Sequence, residues 1–432
     1  MNDKEFQKRL DLVRDVIQGY GLEPSDIATV EYEEDSPFQY NNFIYKITLA
    51  SPETAASFPN AGPYTVAPPK EGVSALIMRL ANPRAEGIVH ETRVENEVAA
   101  MHLARQGLLS SAKPDTAKLV PALYDWQSFG NSQSGFGWSL MEFKEGVPLD
   151  TVFRDLPGDD MKDVLGQIAD VFTGIQKAPL PESIQSHGGM TIDGKGNIVS
   201  GQMTTLKGGP WESHSDFWRA KFMLRIEDAG VSPALDGWKP NGVRERVDKF
   251  LAVGLEEFLE GSNVDVGKRA LIHGDLTTNN ILYDPNTKKL TSILDFDWAF
   301  VSHPCQEFFT SLGDIGGNTG GGTGRDPDLS GGRLGKAMLT GDFDITDLPE
   351  AAAGQLARDK AWDDALAERG GLRPSDIRGI SALDRLRRLD ALLCPFALEH
   401  PVMLRRKTPE EVTEMRKAAE KELVDCLAEF GY

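Results

Sequence analysis

Between Leu271 and Phe300 the chain reads LIHGDLTTNNILYDPNTKKLTSILDFDWAF, a segment dense in side chains that can do chemistry. An apolar run ends in His273-Gly274-Asp275, Asn280 follows five residues after the aspartate, and Asp295 and Asp297 come just after the apolar run SIL. A carboxylate and an amide at that separation on a turn can converge on one point. A tight hairpin turning at Pro285–Thr287 folds a second carboxylate back beside them, because its arms are adjacent strands. Asn280 and Asp295 then offer two facing oxygen donors, which suit a hard cation such as Mg2+. Asp275, just off that metal, can accept a proton from an incoming hydroxyl. A metal to neutralise phosphate charge and a base to orient the nucleophile are what phosphoryl transfer requires. Taken singly, each element also reads as a turn. Two aspartates placed directly after an apolar strand are costly to bury unpaired, however, and a bound cation would remove that cost.

HGDLTTNNIL followed by ILDFDW resembles the catalytic and metal-binding segments of the aminoglycoside phosphotransferase family, which belongs to the protein-kinase-like fold alongside choline and fructosamine kinases. The resemblance implies Asp275 as catalytic base, Asn280 and Asp295 as ligands of Mg2+, and His273 as an orienter of the loop. Asp297 matches the family's second acidic position, in support of metal or substrate. It also implies an α+β, two-lobed architecture with a small β-rich N-lobe and a larger helical C-lobe. Residues 1–143 would be the nucleotide-binding lobe and 144–432 the catalytic and substrate-binding lobe. ATP or GTP would lie in the cleft between them.

The elements that must position these groups can be read along the chain. Phe6, Leu10, Val13 and Ile17 recur on one helical face. Strand patterns follow at 28–33, 43–49 and 73–80, then a helix over 91–106, then strands at 122–129 and 138–143. KEGVPLD reads as a linker. Helices then dominate, at about 160–177, 213–229, 243–260, 375–393 and 409–430, interrupted by hairpins at MTIDGKGNIVSG and at the catalytic segment. Arg79, on the strand VSALIMRL, stands where the family usually has lysine, and Glu97 lies near the apolar face of the next helix. An Arg79–Glu97 pair is expected, with Lys46 as the fallback cation. A surface salt bridge is the plainer alternative. In WSLMEFKEGVPL, which resembles the family's hinge, Met141 would line the back of the base pocket, and backbone groups at Glu142 and Phe143 would bond the base edge. An edge strand running into a linker would use the same residues.

Two departures from the family stand out. Arginine is a planar fork and lysine a point charge, so the exchange is not conservative, although Arg can grip phosphate bidentately. The phosphate-covering hairpin, DSPFQYNNFIYKI, has no glycine, leaving Gln39, Asn41 and Asn42 as donors. Both features motivate a competing expectation, a catalytically silent nucleotide-binding or scaffold protein. A protein-directed kinase is disfavoured, because a glycine-rich stretch (311–336) follows Asp297 instead of an activation segment ending in APE. That stretch lacks the residue order of a P-loop and reads as a mobile surface loop, or one that closes over substrate.

The 432 residues carry a formal charge of −20. That excludes broad electrostatic binding to nucleic acid or an anionic membrane and would suit an amine-bearing acceptor. None of the seven histidines forms HxH or HExxH, and no GxSxG occurs, so zinc hydrolase and serine hydrolase readings fall away. Three scattered cysteines, a polar N-terminus and no long apolar run point to a cytoplasmic protein. The acceptor would be a small molecule bearing a hydroxyl. It would meet Asp297, Trp298 and the segment WESHSDFW, whose aromatic residues would equally serve as core. Oligomeric state is not legible.

Overall fold

Alternation along Val73–Ala81 divides two environments: Leu76, Met78 and Leu80 point to one face of a sheet, Ile77 and Arg79 to the other. The computed structural model describes residues 4–30, 39–58, 62–317, 319 and 332–432. Residues 31–38, 318 and 320–331 lie outside these, and with them the second half of the strand expected at 28–33, the first four residues of DSPFQYNNFIYKI and half of the glycine-rich stretch 311–336.

The chain packs into two compact units, Met1–Pro210 with Ala270–Val301, and Trp211–Arg269 with Ser302–Tyr432. The first unit opens with α1 (Phe6–Gly19), followed by β1 (Pro24–Val30), β2 (Asn42–Glu53), β3 (Val73–Ala81), α2 (Arg93–Leu109), β4 (Leu123–Gln127) and β5 (Trp138–Glu142). The five strands form an antiparallel sheet in the order β1-β2-β3-β5-β4. On one face, Leu76, Met78 and Leu80 pack with Tyr45, Ile47, Leu140 and the α1 residues Val13 and Ile17. On the other, Ile77, Ala81, Leu123 and Met141 meet Val94 and Val98 of α2. A slip of one residue would drive Arg79 into the aliphatic face, so the register is strongly specified.

The unit continues through β6 (Val147–Pro148), α3 (Gly158–Gln176), the hairpin β7 (Gly189–Ile192) and β8 (Ile198–Gly201), then β9 (Ala270–Ile272), β10 (Ile281–Asp284), β11 (Lys289–Ile293) and β12 (Phe300–Ser302). Strand β6 pairs with β10, and because this unit runs from Met1 to Pro210, packing unites residues on both sides of position 143. Helix α2 crosses α3 closely: a Cβ on Gly107 would lie 2.3 Å from the Gly174 carbonyl oxygen.

The second unit is helical: α4 (His214–Val231), α5 (Val243–Lys249) running through a π-helical turn into α6 (Leu255–Gly261), α7 (Cys305–Thr310), α8 (Arg333–Thr340), α9 (Glu350–Glu368), α10 (Ile380–Leu393), α11 (Phe396–Glu399), α12 (Pro401–Leu404) and α13 (Pro409–Glu429). Ser213 caps α4 by accepting from the Asp216 N–H, and Thr408 with Glu411 makes a capping box on α13. Phe217 and Trp218, from the aromatic segment considered for substrate, are fully buried in this unit's core. The fold is thus α+β, β-rich first and helical after, as the sequence implied. Among the described residues no helix is long and apolar enough to cross a membrane.

Candidate active site

Strand pairing builds the site. In the β10–β11 hairpin Ile281 pairs with Ile293, and the Asn280 carbonyl accepts from the Leu294 N–H at 2.8 Å, which sets Asn280 beside Asp295. Asp295 then turns the chain with φ 63° and ψ 61°, a left-handed conformation uncommon for a residue with a side chain. Gly274 (φ +83°) lets the His273–Asp275 turn pass close by: a Cβ there would stand 2.5 Å from the Trp298 carbonyl oxygen.

Within this frame Asn280 Nδ2 donates to the Asp275 carboxylate at 2.8 Å and to the Asp275 carbonyl at 2.9 Å. His273 is fully buried; its Nδ1 accepts from the Asp275 N–H at 3.3 Å. Its Nε2 therefore carries the proton and donates to the Leu294 carbonyl at 3.0 Å. Burial lowers the imidazole to about 4, with Asp295 opposing, so the ring is neutral and serves as a brace between the two segments.

Arg79 joins the sheet to this loop. Nη1 reaches Glu97 on α2 at 2.8 Å, while Nη2 reaches Asp295 at 2.6 Å and Asp297 at 3.1 Å. Burial lowers this guanidinium's pKa, but Asp295, Glu97 and Asp297 outweigh it and raise it above its ordinary value. Burial pushes Glu97 up to about 7; Arg79 opposes the rise, and Asp297 and Asp295 add to it. Lys46 does not join the cluster: its ammonium stands over the Phe143 ring at 4.0 Å.

Asp297 is held differently from the other acids. Arg93, at the start of α2, donates through Nε to one carboxylate oxygen at 2.7 Å and through Nη2 to the other. Asn42 donates to Asp297 at 3.1 Å and accepts from Arg93 at 3.1 Å. Burial opposes ionisation of Asp297, yet Arg93, Arg79 and Asn42 overcome it and hold the carboxyl down to about 2. Arg93 escaped the sequence reading, although it precedes Glu97 by one helical turn and so shares its face. Asn42, read as a donor toward phosphate, spends its amide on this pair.

At the expected hinge, Met141 is buried in the cluster under α2. The Glu142 N–H is committed to the Ala122 carbonyl at 2.8 Å, and the Glu142 carboxylate accepts from the Ala122 N–H at 3.0 Å. A donor to a base edge therefore falls to the backbone from Phe143 onward.

The donor set fits Mg2+ by its chemistry. Asp295 keeps a side chain 40% exposed, and the Asn280 amide turns its nitrogen toward Asp275 while its oxygen accepts a long 3.5 Å bond from Asn279 Nδ2, a contact that a cation could replace. Among the described residues no group of three or more His, Cys, Asp or Glu side chains could hold a metal. An ion bound here would therefore take its remaining positions from phosphate and water, as Mg2+ commonly does.

Compared with known proteins, residues 66–337 match the model of a family described as the phosphotransferase enzyme family, APH. No curated protein matches the chain. Similar solved structures include a thermostable variant of aminoglycoside phosphotransferase APH(4)-Ia in ternary complex with ADP and hygromycin B, 17% identical, covering 96% of this chain and 97% of that one, TM-score 0.44. Two others are ADP-bound APH(2'')-Ib (9%, 96% and 98%, TM-score 0.47) and the streptomycin–ATP–APH(2'')-IIa ternary complex (10%, 96% and 97%, TM-score 0.45).

Proposed function

Because this chain belongs to the phosphotransferase enzyme family, we propose that it transfers the γ-phosphoryl group of ATP, or of GTP, to a hydroxyl of a small molecule. The observation that supports this best is the Asn280–Asp275 hydrogen bond, made by an amide whose strand partner leads directly into Asp295. It aligns the base with both candidate metal ligands on one short stretch of chain. Asp275 orients the acceptor hydroxyl and takes its proton as the hydroxyl oxygen bonds to the γ-phosphorus and the bond from that phosphorus to the β–γ bridging oxygen breaks, releasing the nucleoside diphosphate. Asn280 and Asp295 would hold Mg2+, which when bound neutralises phosphate charge. Arg79 directs positive charge toward the phosphates while keeping Glu97 and Asp295 in register. Met141 and the backbone at Glu142 and Phe143 form the side of the site that receives the base.

In this reading residues 1–143 are the nucleotide-binding lobe, and residues 144–432 carry catalysis and the acceptor. The formal charge of −20 suits a cytoplasmic enzyme with an amine-bearing acceptor and no nucleic-acid or membrane partner. A silent nucleotide-binding protein is the second reading, favoured by one observation: both Nη atoms of Arg79 are already engaged by carboxylates. One assay separates the two. Purified protein with Mg2+ is offered ATP or GTP and a library of hydroxylated metabolites. Acceptor-dependent nucleotide consumption, lost in Asp275→Asn, is the outcome expected here; nucleotide binding with no turnover under any acceptor supports the silent reading.

A further inference from the structure

We propose that Arg93 and Asn96 are positioning residues that latch helix α2 onto the segment carrying Asp295 and Asp297, so that the Arg79–Glu97 pair stands assembled before any ligand binds. This rests on the phosphotransfer reading for its consequence, though not for its geometry.

Arg93 is the first residue of α2, and its neighbour Thr92 makes no side-chain cap. A cation at a helix N-terminus opposes the macrodipole, so local helix energetics disfavour arginine there. Its side chain, 1% exposed, instead makes a two-pronged contact with Asp297. One turn along the same face, Glu97 receives Arg79. Between them Asn96 is fully buried and bonded at both ends: Nδ2 donates to the Ala299 carbonyl at 2.8 Å, and Oδ1 accepts from the Met190 N–H at 2.8 Å.

Ala299 lies two residues past Asp297, and Met190 lies on the β7–β8 hairpin. That hairpin is itself tied down, because Gly188 and Val301 exchange backbone hydrogen bonds at 2.9 and 2.7 Å. Its far end is held too: the Tyr64 hydroxyl donates to the Gly196 carbonyl and accepts from the Ile198 N–H. At the opposite end of α2, the close Gly107–Gly174 crossing leaves no slack toward α3. A helix gripped this way cannot swing Glu97 from Arg79 without breaking a buried ion pair and a doubly bonded buried amide. Both losses are costly. No activating modification or effector is then needed to bring the pair together.

The test is hydrogen–deuterium exchange of the α2 amides in the full chain, with and without ADP and Mg2+, for the wild type, Asn96→Asp, Arg93→Gln and Arg93→Lys. The wild type is expected to protect the first turns of α2 equally with and without ligand. Arg93→Gln and Asn96→Asp should speed exchange there by about 10-fold or more, the equivalent of about 1.4 kcal/mol. Arg93→Lys, which keeps the charge but not the fork, should fall between. Affinity for a fluorescent ADP analogue should weaken in the same order, and kcat should fall while acceptor KM holds. Wild-type protection of α2 that appears only with nucleotide overturns the latch. So do variants that melt earlier with α2 exchange and nucleotide affinity unchanged. Should Arg93→Gln fail to fold, Asn96→Asp alone decides: it keeps the acceptor for the Met190 N–H and replaces the donor to Ala299 and Thr204 with a carboxylate oxygen. A wild type that phosphorylates no acceptor, yet exchanges as described, removes the phosphotransfer reading and leaves the latch standing.

Discussion

Replacing Arg79 with lysine probes the arrangement at its most unusual residue. The guanidinium, 9% exposed, spans Glu97 at 2.8 Å and Asp295 at 2.6 Å through different nitrogens, with Asp297 at 3.1 Å. Lysine offers one nitrogen and cannot reproduce that span, so at least one charge-assisted bond is lost. Such bonds contribute about 1.5–3 kcal/mol each, which sets the expected loss in Arg79→Lys at about 2 kcal/mol. Arg79→Met removes all three contacts and strands Glu97 in the interior, and breaking a buried pair in this way costs about 3–5 kcal/mol. Native-state hydrogen exchange of the β3 amides in rising urea reads the unit that holds Arg79, without requiring both units to unfold together. The expected order of stability is Arg, then Lys, then Met. Losses below about 0.5 kcal/mol in both variants, the scale of an exposed pair, would refute the reasoning. Turnover should survive in Arg79→Lys, which retains the charge, and vanish in Arg79→Met.

Gly107→Ala places a methyl 2.3 Å from the Gly174 carbonyl oxygen and 2.9 Å from Ala178, so exchange in α2 and α3 should show a destabilisation of at least about 1–3 kcal/mol. Asn280→Ala removes one of the two proposed metal oxygens: the Mg2+ concentration for half-maximal turnover should rise about 10-fold or more, with the melting temperature within a few degrees of wild type. Cys305, Cys394 and Cys426 are buried free thiols, and burial raises Cys394 to about 12 and Cys426 to about 11. A thiol raised in the fold binds its proton more tightly than in the unfolded chain, so stability is lost as pH climbs from about 9 through those values. Iodoacetamide at pH 8 should label none of the three until urea is added; rapid labelling of the native chain contradicts this.

Where a segment's pattern matched its environment, the sequence was readable. The alternation in 43–49, the compact apolar run of 73–80 and the helix of 91–106 became β2, β3 and α2 within a few residues. The helix α9 was not anticipated, and its composition explains why: EAAAGQLARDKAWDDALAE is alanine-rich and draws no apolar stripe, while Asp359 and Asp363 are among its buried residues. Glu97 was legible from its spacing, whereas Arg93 was not. Arg93 looks like an exposed helix-start residue until the chain 204 positions away is folded against it. Asn42 was misjudged for a related reason, since an asparagine beside a turn reads as a local donor, and its partner Asp297 lies in a distant segment. The convergence of Asp275, Asn280 and Asp295 was legible because the β10–β11 hairpin sets Asn280 beside Asp295 and the short turn before it brings Asp275 within 2.8 Å of the Asn280 amide.

The most direct test of the account is acceptor-dependent phosphoryl transfer by the wild type and by Asp275→Asn, measured alongside nucleotide affinity and folding of both. The account predicts a phosphorylated hydroxyl product from the wild type, and a loss of about 100- to 10,000-fold in the variant at near-unchanged nucleotide affinity. A folded, nucleotide-binding Asp275→Asn that turns over at the wild-type rate would contradict it.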